Sequence, residues 1–148
     1  MDPYFNPKKS RYSRAFYTYF STVNAYVQPR AIVEIHTRKR DDAPFSESDL
    51  KNYLGRALQC FRHKLTVFRW KENGNEEMHA RYVLTPKVGI SIDRGLDESD
   101  SSATTDVNLL KEKQRADRWR QYDRLKQEEG VGSSLPGFTL ADEIPLRS

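Results

Sequence analysis

Ala31-Ile32-Val33-Glu34-Ile35-His36-Thr37, then Ser46-Glu47-Ser48-Asp49, then Lys64-Leu65-Thr66-Val67-Phe68-Arg69-Trp70-Lys71 together decide the fold class of this chain. The two outer runs have strand length and are rich in β-branched and aromatic residues, which pack well on a pleated surface. The first reads as a buried central strand. Between them, Ser46 and Asp49 stand at capping-box spacing, with Asp in place of the usual Glu or Gln. Leu50, Leu54, Ala57, Leu58 and Phe61 then recur at helical spacing, so a helix separates the two strands.

Working outward, Ser10 or Ser13 is placed to cap a helix running to about Val27, with Phe16, Phe20, Val23 and Val27 three and four residues apart. Pro29 stops it. Beyond Lys71, Asn73-Gly74-Asn75 reads as a turn. Met78 to Thr85 alternates strictly: Met78, Ala80, Tyr82 and Leu84 on one face, His79, Arg81, Val83 and Thr85 on the other. Pro86 to Val88 turns the chain and Gly89 to Asp93 returns it, which predicts a hairpin. Thr104 to Leu109 reads as one more strand. A charged helix follows from about Leu110 to Glu128, with Ala116, Trp119, Tyr122 and Leu125 as its contact face, then a loop over Gly130 to Pro136 and a last strand at Phe138-Thr139-Leu140.

This order predicts one α/β domain over residues 1–148, a mixed sheet flanked by helices. It lacks the strand that would normally precede the first helix, so either the natural protein starts upstream of Met1 or the sheet lacks its first strand. A length of 148 residues suits a single core. Apolar residues make up 36% and charged residues 31%, yet eight tyrosines, seven phenylalanines and two tryptophans argue for a folded chain with a heavily solvated surface. Cys60 is the lone cysteine, which excludes an intramolecular disulfide. No apolar run has the length of a membrane span and no secretory signal follows Met1, so a soluble cytoplasmic protein is expected. The net charge of +4 is unevenly spread: residues 1–40 carry eight Lys/Arg against two acids, residues 72–106 three against eight. A basic N-terminal third could favour an anionic partner, but no block of like charge is long and a solvated mixed surface explains it more simply.

The chemistry centres on His79 and Arg81. Two residues apart on a strand, their side chains share a face, so an imidazole capable of nucleophilic attack lies beside a guanidinium capable of holding phosphate. The structural alternative pairs them with Asp97 or Asp106, holding the hairpin together. His36, in an apolar strand, reads as structural. His63, in Arg62-His63-Lys64, reads as an exposed residue at a helix end. Asp93, Asp97, Asp100 and Asp106 form an acidic stretch whose spacing fits no EF-hand, so no metal site is assigned. Tyr12, Tyr17, Tyr19 and Tyr26, and the basic run Lys111, Lys113, Arg115, Arg118 and Arg120, read more simply as core, rim and solvated face than as nucleic-acid or lipid surfaces.

Asp2-Pro3-Tyr4 before a helix, the His79-Ala80-Arg81 strand, Gly95-Leu96-Asp97, Thr104-Thr105-Asp106-Val107, and the late Trp119-Arg120-Gln121-Tyr122-Asp123 with Phe138-Thr139-Leu140 occur in an order that resembles a known family. It is the phospholipase-D-like C-terminal domain of microtubule-interacting-and-trafficking (MIT) domain proteins and its bacterial relatives. The resemblance spans nearly the whole chain. It implies a phospholipase-D-like fold, normally opened by a strand just before Asp-Pro-Tyr. Active members of the wider superfamily use His-x-Lys-x4-Asp, duplicated within one chain or across a dimer. By that resemblance His79 matches the nucleophile, Arg81 stands at the lysine position, and Pro86 replaces the acid. Asp93 or Asp97 would have to supply the missing carboxylate. The implied ligand-binding residues are His79, Arg81, Thr85, Gly95, Asp97, Asp2 and Tyr4, with His79 and Arg81 catalytic only if the site is active. No cofactor is expected. The resulting expectation is a non-catalytic module recognising a phosphate-bearing ligand, nucleic acid or anionic phospholipid, or a larger protein partner, as a homodimer. The alternatives are a dimeric, metal-independent nuclease or phosphodiesterase and a scaffolding domain attached to a larger bacterial protein.

Overall fold

The computed structural model describes residues 2–28, 30–72, 81–93, 105–122 and 138–147. They form three helices and two small three-stranded sheets, a mixed α/β arrangement. Helix α1 (Ser10–Tyr26) buries Tyr12, Phe16, Phe20 and Val23, a stripe with the expected spacing. Its N-cap is Lys9, which makes no side-chain cap, so neither Ser10 nor Ser13 plays that part. Helix α2 (Glu47–Cys60) opens with the expected capping box. The Asp49 N–H donates to Ser46 Oγ at 3.1 Å and the Ser46 N–H donates to Asp49 Oδ2 at 2.8 Å. The Ser46 N–H, then the Ser46 hydroxyl and Lys8, hold the Asp49 carboxyl below the usual carboxylate range. Leu50, Leu54 and Ala57 are buried, with Phe61 closing the row just past the helix.

Strand β1 (Ile32–Arg38) pairs in parallel with β2 (Lys64–Glu72), and β2 pairs antiparallel with the C-terminal strand, which runs Phe138–Arg147. β2 is therefore the central strand of this sheet. β1 lies at the edge of the described strands, which corrects its reading as a central one. A buried strand and an edge strand covered on both faces read alike in sequence, because burial of side chains does not reveal which backbone neighbours are present. The C-terminal strand is also much longer than Phe138–Leu140. Its continuation, Ala141-Asp142-Glu143-Ile144-Pro145-Leu146-Arg147, contains acids and a proline that argue against a strand. Pro145 stands opposite Thr66 beside a register shift, where the ladder has no need of its missing N–H.

The hairpin is present, with β3 (Tyr82–Leu84) against β4 (Gly89–Ile92), and β5 (Val107–Leu109) completes an antiparallel sheet. Helix α3 (Glu112–Tyr122) follows. In chain order the strand Phe138–Arg147 is β6. The Asn73-Gly74-Asn75 turn, Met78 to Ala80, Leu125 and the Gly130–Pro136 loop lie outside the described residues.

Two clusters of buried side chains occupy opposite faces of the β1-β2-β6 sheet. On the helix face, α1 and α2 pack Phe16, Phe20, Leu50, Leu54 and Phe61 against Ile35, Leu65, Val67 and Ile144. On the other, Phe68 and Trp70 meet Tyr122 of α3, with Leu84, Phe138 and Leu140 at the margin. Asn24 ties α1 to the end of α2, its amide donating to the Cys60 carbonyl at 2.6 Å and its carbonyl accepting from the Arg62 N–H at 3.0 Å. His63 is buried, not exposed: its Nδ1 accepts the Ala31 N–H at 3.2 Å, filling a donor that β1 leaves behind as it starts.

Candidate functional site

The C-terminal ends of the parallel strands β1 and β2 gather charged side chains from three separate segments around one aromatic ring. Where strands end, their last side chains and the loops beyond converge without ladder constraints, and open α/β sheets use this edge for ligands. Arg38 ends β1, Arg40 follows in the loop, and Arg81 enters β3 from the hairpin sheet. All three guanidinium carbons lie over the Tyr4 ring, at 5.4, 5.9 and 4.8 Å from its centroid for Arg38, Arg40 and Arg81 respectively.

Tyr4 is delivered there by the N-terminal segment. The Asp2 N–H donates to the His36 carbonyl at 3.1 Å, laying the segment beside β1, and the Tyr4 N–H donates to Asp2 Oδ1 at 2.9 Å, a tight Asx turn. Asp2 is buried, and its Oδ1 lies 3.9 Å from Arg81 Nε. An Arg81 Nη1–H donates to the Asp93 carbonyl, so this one side chain joins the N-terminal segment to β4. Arg38 pairs with Glu72 at 3.1 Å, and Arg40 forms a two-pronged pair with Asp42. That pairing holds the Arg40 guanidinium above, and the Asp42 carboxyl below, the usual ranges.

Of the residues singled out by sequence, the structure thus brings Asp2, Tyr4 and Arg81 together. Arg81 does not take the Asp106 partner considered for it; its partners are the Asp93 carbonyl and Asp2. Thr85 stands apart from them, in the β3–β4 turn. Its hydroxyl accepts the Val88 N–H at 2.8 Å and donates to the Val88 carbonyl at 2.9 Å, which makes it a turn-forming residue. Pro86 adjoins it, and its carbonyl accepts from Arg115 Nη1 at 2.7 Å. His79, Gly95 and Asp97 lie outside the described residues. No family model, curated protein or solved structure matches this chain. Among the described residues no group of three or more His, Cys, Asp or Glu side chains could hold a metal ion, and no helix is long and apolar enough to cross a membrane.

Sequence reasoning missed Arg38 and Arg40 as members of this cluster. Their signal was a basic run, Arg38-Lys39-Arg40, immediately after a predicted strand, which reads as a charged loop unless the N-terminal segment is known to return to it. The run alternates as a strand does. Arg38 and Arg40 face Tyr4 while Lys39 points to Asp142 on the helix side, 3.4 Å away.

His36 is structural, as its setting in an apolar strand suggested. It is stacked on Phe68, with ring centroids 5.0 Å apart, and meets the edge of Tyr122 at 5.1 Å. Trp70 Nε1–H donates to His36 Nδ1 at 3.1 Å, which leaves the proton on Nε2 to be donated to Glu34 Oε2, also at 3.1 Å. Glu34 faces a cleft of about 350 Å³ along β1, walled by Tyr19 and Val23 on one side and Leu84, Trp119 and Tyr122 on the other.

Proposed function

We propose that this chain is a non-catalytic, phospholipase-D-like module that recognises a phosphate-bearing ligand, nucleic acid or anionic lipid, through the arginines gathered on Tyr4. The observation that carries this reading is the convergence of Arg38, Arg40 and Arg81 within 6 Å of one aromatic ring. Guanidinium groups hold phosphate oxygens bidentately and keep their charge at any physiological pH. Their present partners, Glu72 and Asp42, are partly exposed carboxylates. Asp42 is exposed, and a surface pair such as Arg40–Asp42 is worth about 0–1 kcal/mol, so a phosphate can take its place on Arg40 at little cost. Arg81 is anchored more firmly, by the Asp93 carbonyl and Asp2, and positions the Tyr4 face. The absence of a phosphodiesterase activity is part of the reading: Pro86 holds the position of the superfamily's supporting acid and offers only a carbonyl already used by Arg115.

The test is binding of a fluorescent single-stranded oligonucleotide and of vesicles containing anionic phospholipid, as a function of salt. Three phosphate contacts give a slope of log affinity against log salt near −2 for single-stranded nucleic acid, from about 0.7 per contact. Arg38→Ala with Arg40→Ala should remove most of the affinity and flatten the slope. Binding unchanged in that double variant rejects the reading, and phosphodiester cleavage abolished by His79→Asn would replace it with a catalytic one.

A further inference from the structure

The cleft beside β1 has a floor of a particular kind. Lys64 N–H donates to the Ala31 carbonyl, and β1 and β2 pair in parallel register, so the main-chain groups of Ala31, Val33, Ile35 and Thr37 point toward β2. By alternation those of Ile32, Glu34 and His36 point the other way, to the edge that no second described strand pairs with. The Asp2 N–H on the His36 carbonyl shows that this edge takes a main-chain partner at one end. Further along, no hydrogen-bond partner is found among the described residues for the outward N–H and carbonyl of Ile32 and Glu34. The cleft lies over these groups, lined by Tyr19, Val23 and Val27 toward α1 and by Leu84, Trp119 and Tyr122 toward α3.

Edges of this type are normally guarded by lysine, proline or a bulge, since an unpaired apolar edge recruits other chains. β1 has none of these before Arg38, and Ile32 is 59% exposed. The cleft's lining includes one carboxylate, Glu34. His36 Nε2 occupies one of its oxygens, leaving the other to accept.

We infer that the open edge of β1 is a docking site for an extended peptide segment, which adds as a short antiparallel strand with a basic residue opposite Glu34 and apolar residues on either side. The pleat dictates this alternation. A residue opposite Glu34 shares its face, toward α3, whereas its two neighbours point toward Tyr19, Val23 and Val27 on α1. Main-chain bonds to Ile32 and Glu34 supply attachment, and the apolar walls with Glu34 select the sequence. This surface is separate from the arginine cluster, so it stands or falls independently of phosphate binding.

The probe is the blocked pentapeptide acetyl-Val-Lys-Val-Ile-Thr-amide, titrated into the full chain while backbone amide NMR shifts are followed. Saturable shifts at Ile32 to Ile35 are expected. In an antiparallel pair the lysine amide points at Glu34, so N-methylation there should weaken binding at least about tenfold through a lost hydrogen bond and a clash. N-methylation of the following valine, whose amide points away from β1, should leave binding intact. Replacing the peptide lysine with glutamate, and separately Glu34→Gln in the protein, should each weaken it about two- to fivefold, the scale of a partly exposed ion pair. Equal effects of the two N-methylations, indifference to the sign of the peptide charge, or no shifts at β1 would each overturn the inference. The peptide variants use the unaltered protein, so a folding defect in Glu34→Gln cannot obscure the result.

Discussion

Gly89→Ala sets two effects of opposite sign against each other, and the structure decides which wins. Gly89 lies in β4 opposite Leu84, and a Cβ there would sit 3.0 Å from each of three atoms: Leu84 Cδ2, Leu110 Cδ1 and Arg115 Cγ. Removing a glycine from a strand stabilises by about 0.5–1 kcal/mol, because the unfolded chain loses freedom. Inserting a methyl into a packed site costs about 1–3 kcal/mol when neighbours must leave their rotamers. One leucine tip could yield alone. Here three groups crowd the methyl from different elements, and Arg115 Cγ is mid-stem in a side chain tethered to the Pro86 carbonyl. A net loss of about 1 kcal/mol is expected, which in a domain of this size lowers Tm by about 2–4 °C. Urea denaturation followed by circular dichroism measures it, with an unchanged m-value showing that the effect resides in the folded state. Because Leu84 also walls the β1 cleft, amide shifts at Ile32 and Glu34 should accompany the loss. Stability equal to or above that of the parent would refute the crowding argument.

Ser46→Ala should cost about 1 kcal/mol in the same assay by removing the α2 cap, while the Asp49 carboxyl stays below its usual range, since the Ser46 N–H that chiefly holds it down remains. His63→Phe keeps an aromatic ring but strands the Ala31 N–H, so a loss of about 1–3 kcal/mol is expected, with local exchange of the Ala31 amide accelerated. Stability should decline at both ends of the pH scale for identifiable reasons. Burial works against ionisation of Asp142, yet the Arg69 hydrogen bond and charge, with Lys39, hold its carboxyl below the usual range. Its stabilisation is therefore complete above the unfolded value near 4 and fades as pH falls through the depressed folded one, and Asp142→Asn should blunt that acid limb. Burial pushes the Tyr122 phenol well up, and Tyr19 in the same direction. Those contributions are complete below the unfolded value near 10 and fade as pH climbs toward the raised folded ones, so ultraviolet titration should leave two phenols protonated until the chain unfolds.

The elements that could be read locally were those whose signals are local. The α2 capping box needs four consecutive residues, the stripe Tyr12, Phe16, Phe20, Val23 needs one helix, and the hairpin needs the alternation of its arms around Thr85 to Val88. Three readings went astray because their causes are remote. His63 looked exposed between Arg62 and Lys64, but the start of β1 offers it an N–H to accept. β1 looked central, because aromatic side chains from β2 and α3 bury His36 although no second described strand pairs with its backbone. β6 was read as three residues, because β2 overrides the low strand propensity of Asp142, Glu143 and Pro145 by pairing with them. Arg69 illustrates how: it bonds both the Phe45 carbonyl and Asp142, which makes an acid welcome in a half-buried strand.

By itself the sequence determined the places of α1, α2, β1, β2 and the β3–β4 hairpin, the apolar faces of the first two helices, and Arg81 with His79 as the chemistry to watch, since these follow from spacing and side-chain type. Only the tertiary structure decided where that chemistry meets. Asp2 and Tyr4 reach Arg81 because the N-terminal segment, with Phe5 in the core and the Asp2 N–H on the His36 carbonyl, returns to the end of β1, and Arg38 and Arg40 join them because that strand ends there. The cleft over β1 likewise depends on which strand lies at the sheet's edge. Spacing along a chain encodes local periodicity, but the convergence of distant segments is a balance of contacts summed over the whole fold.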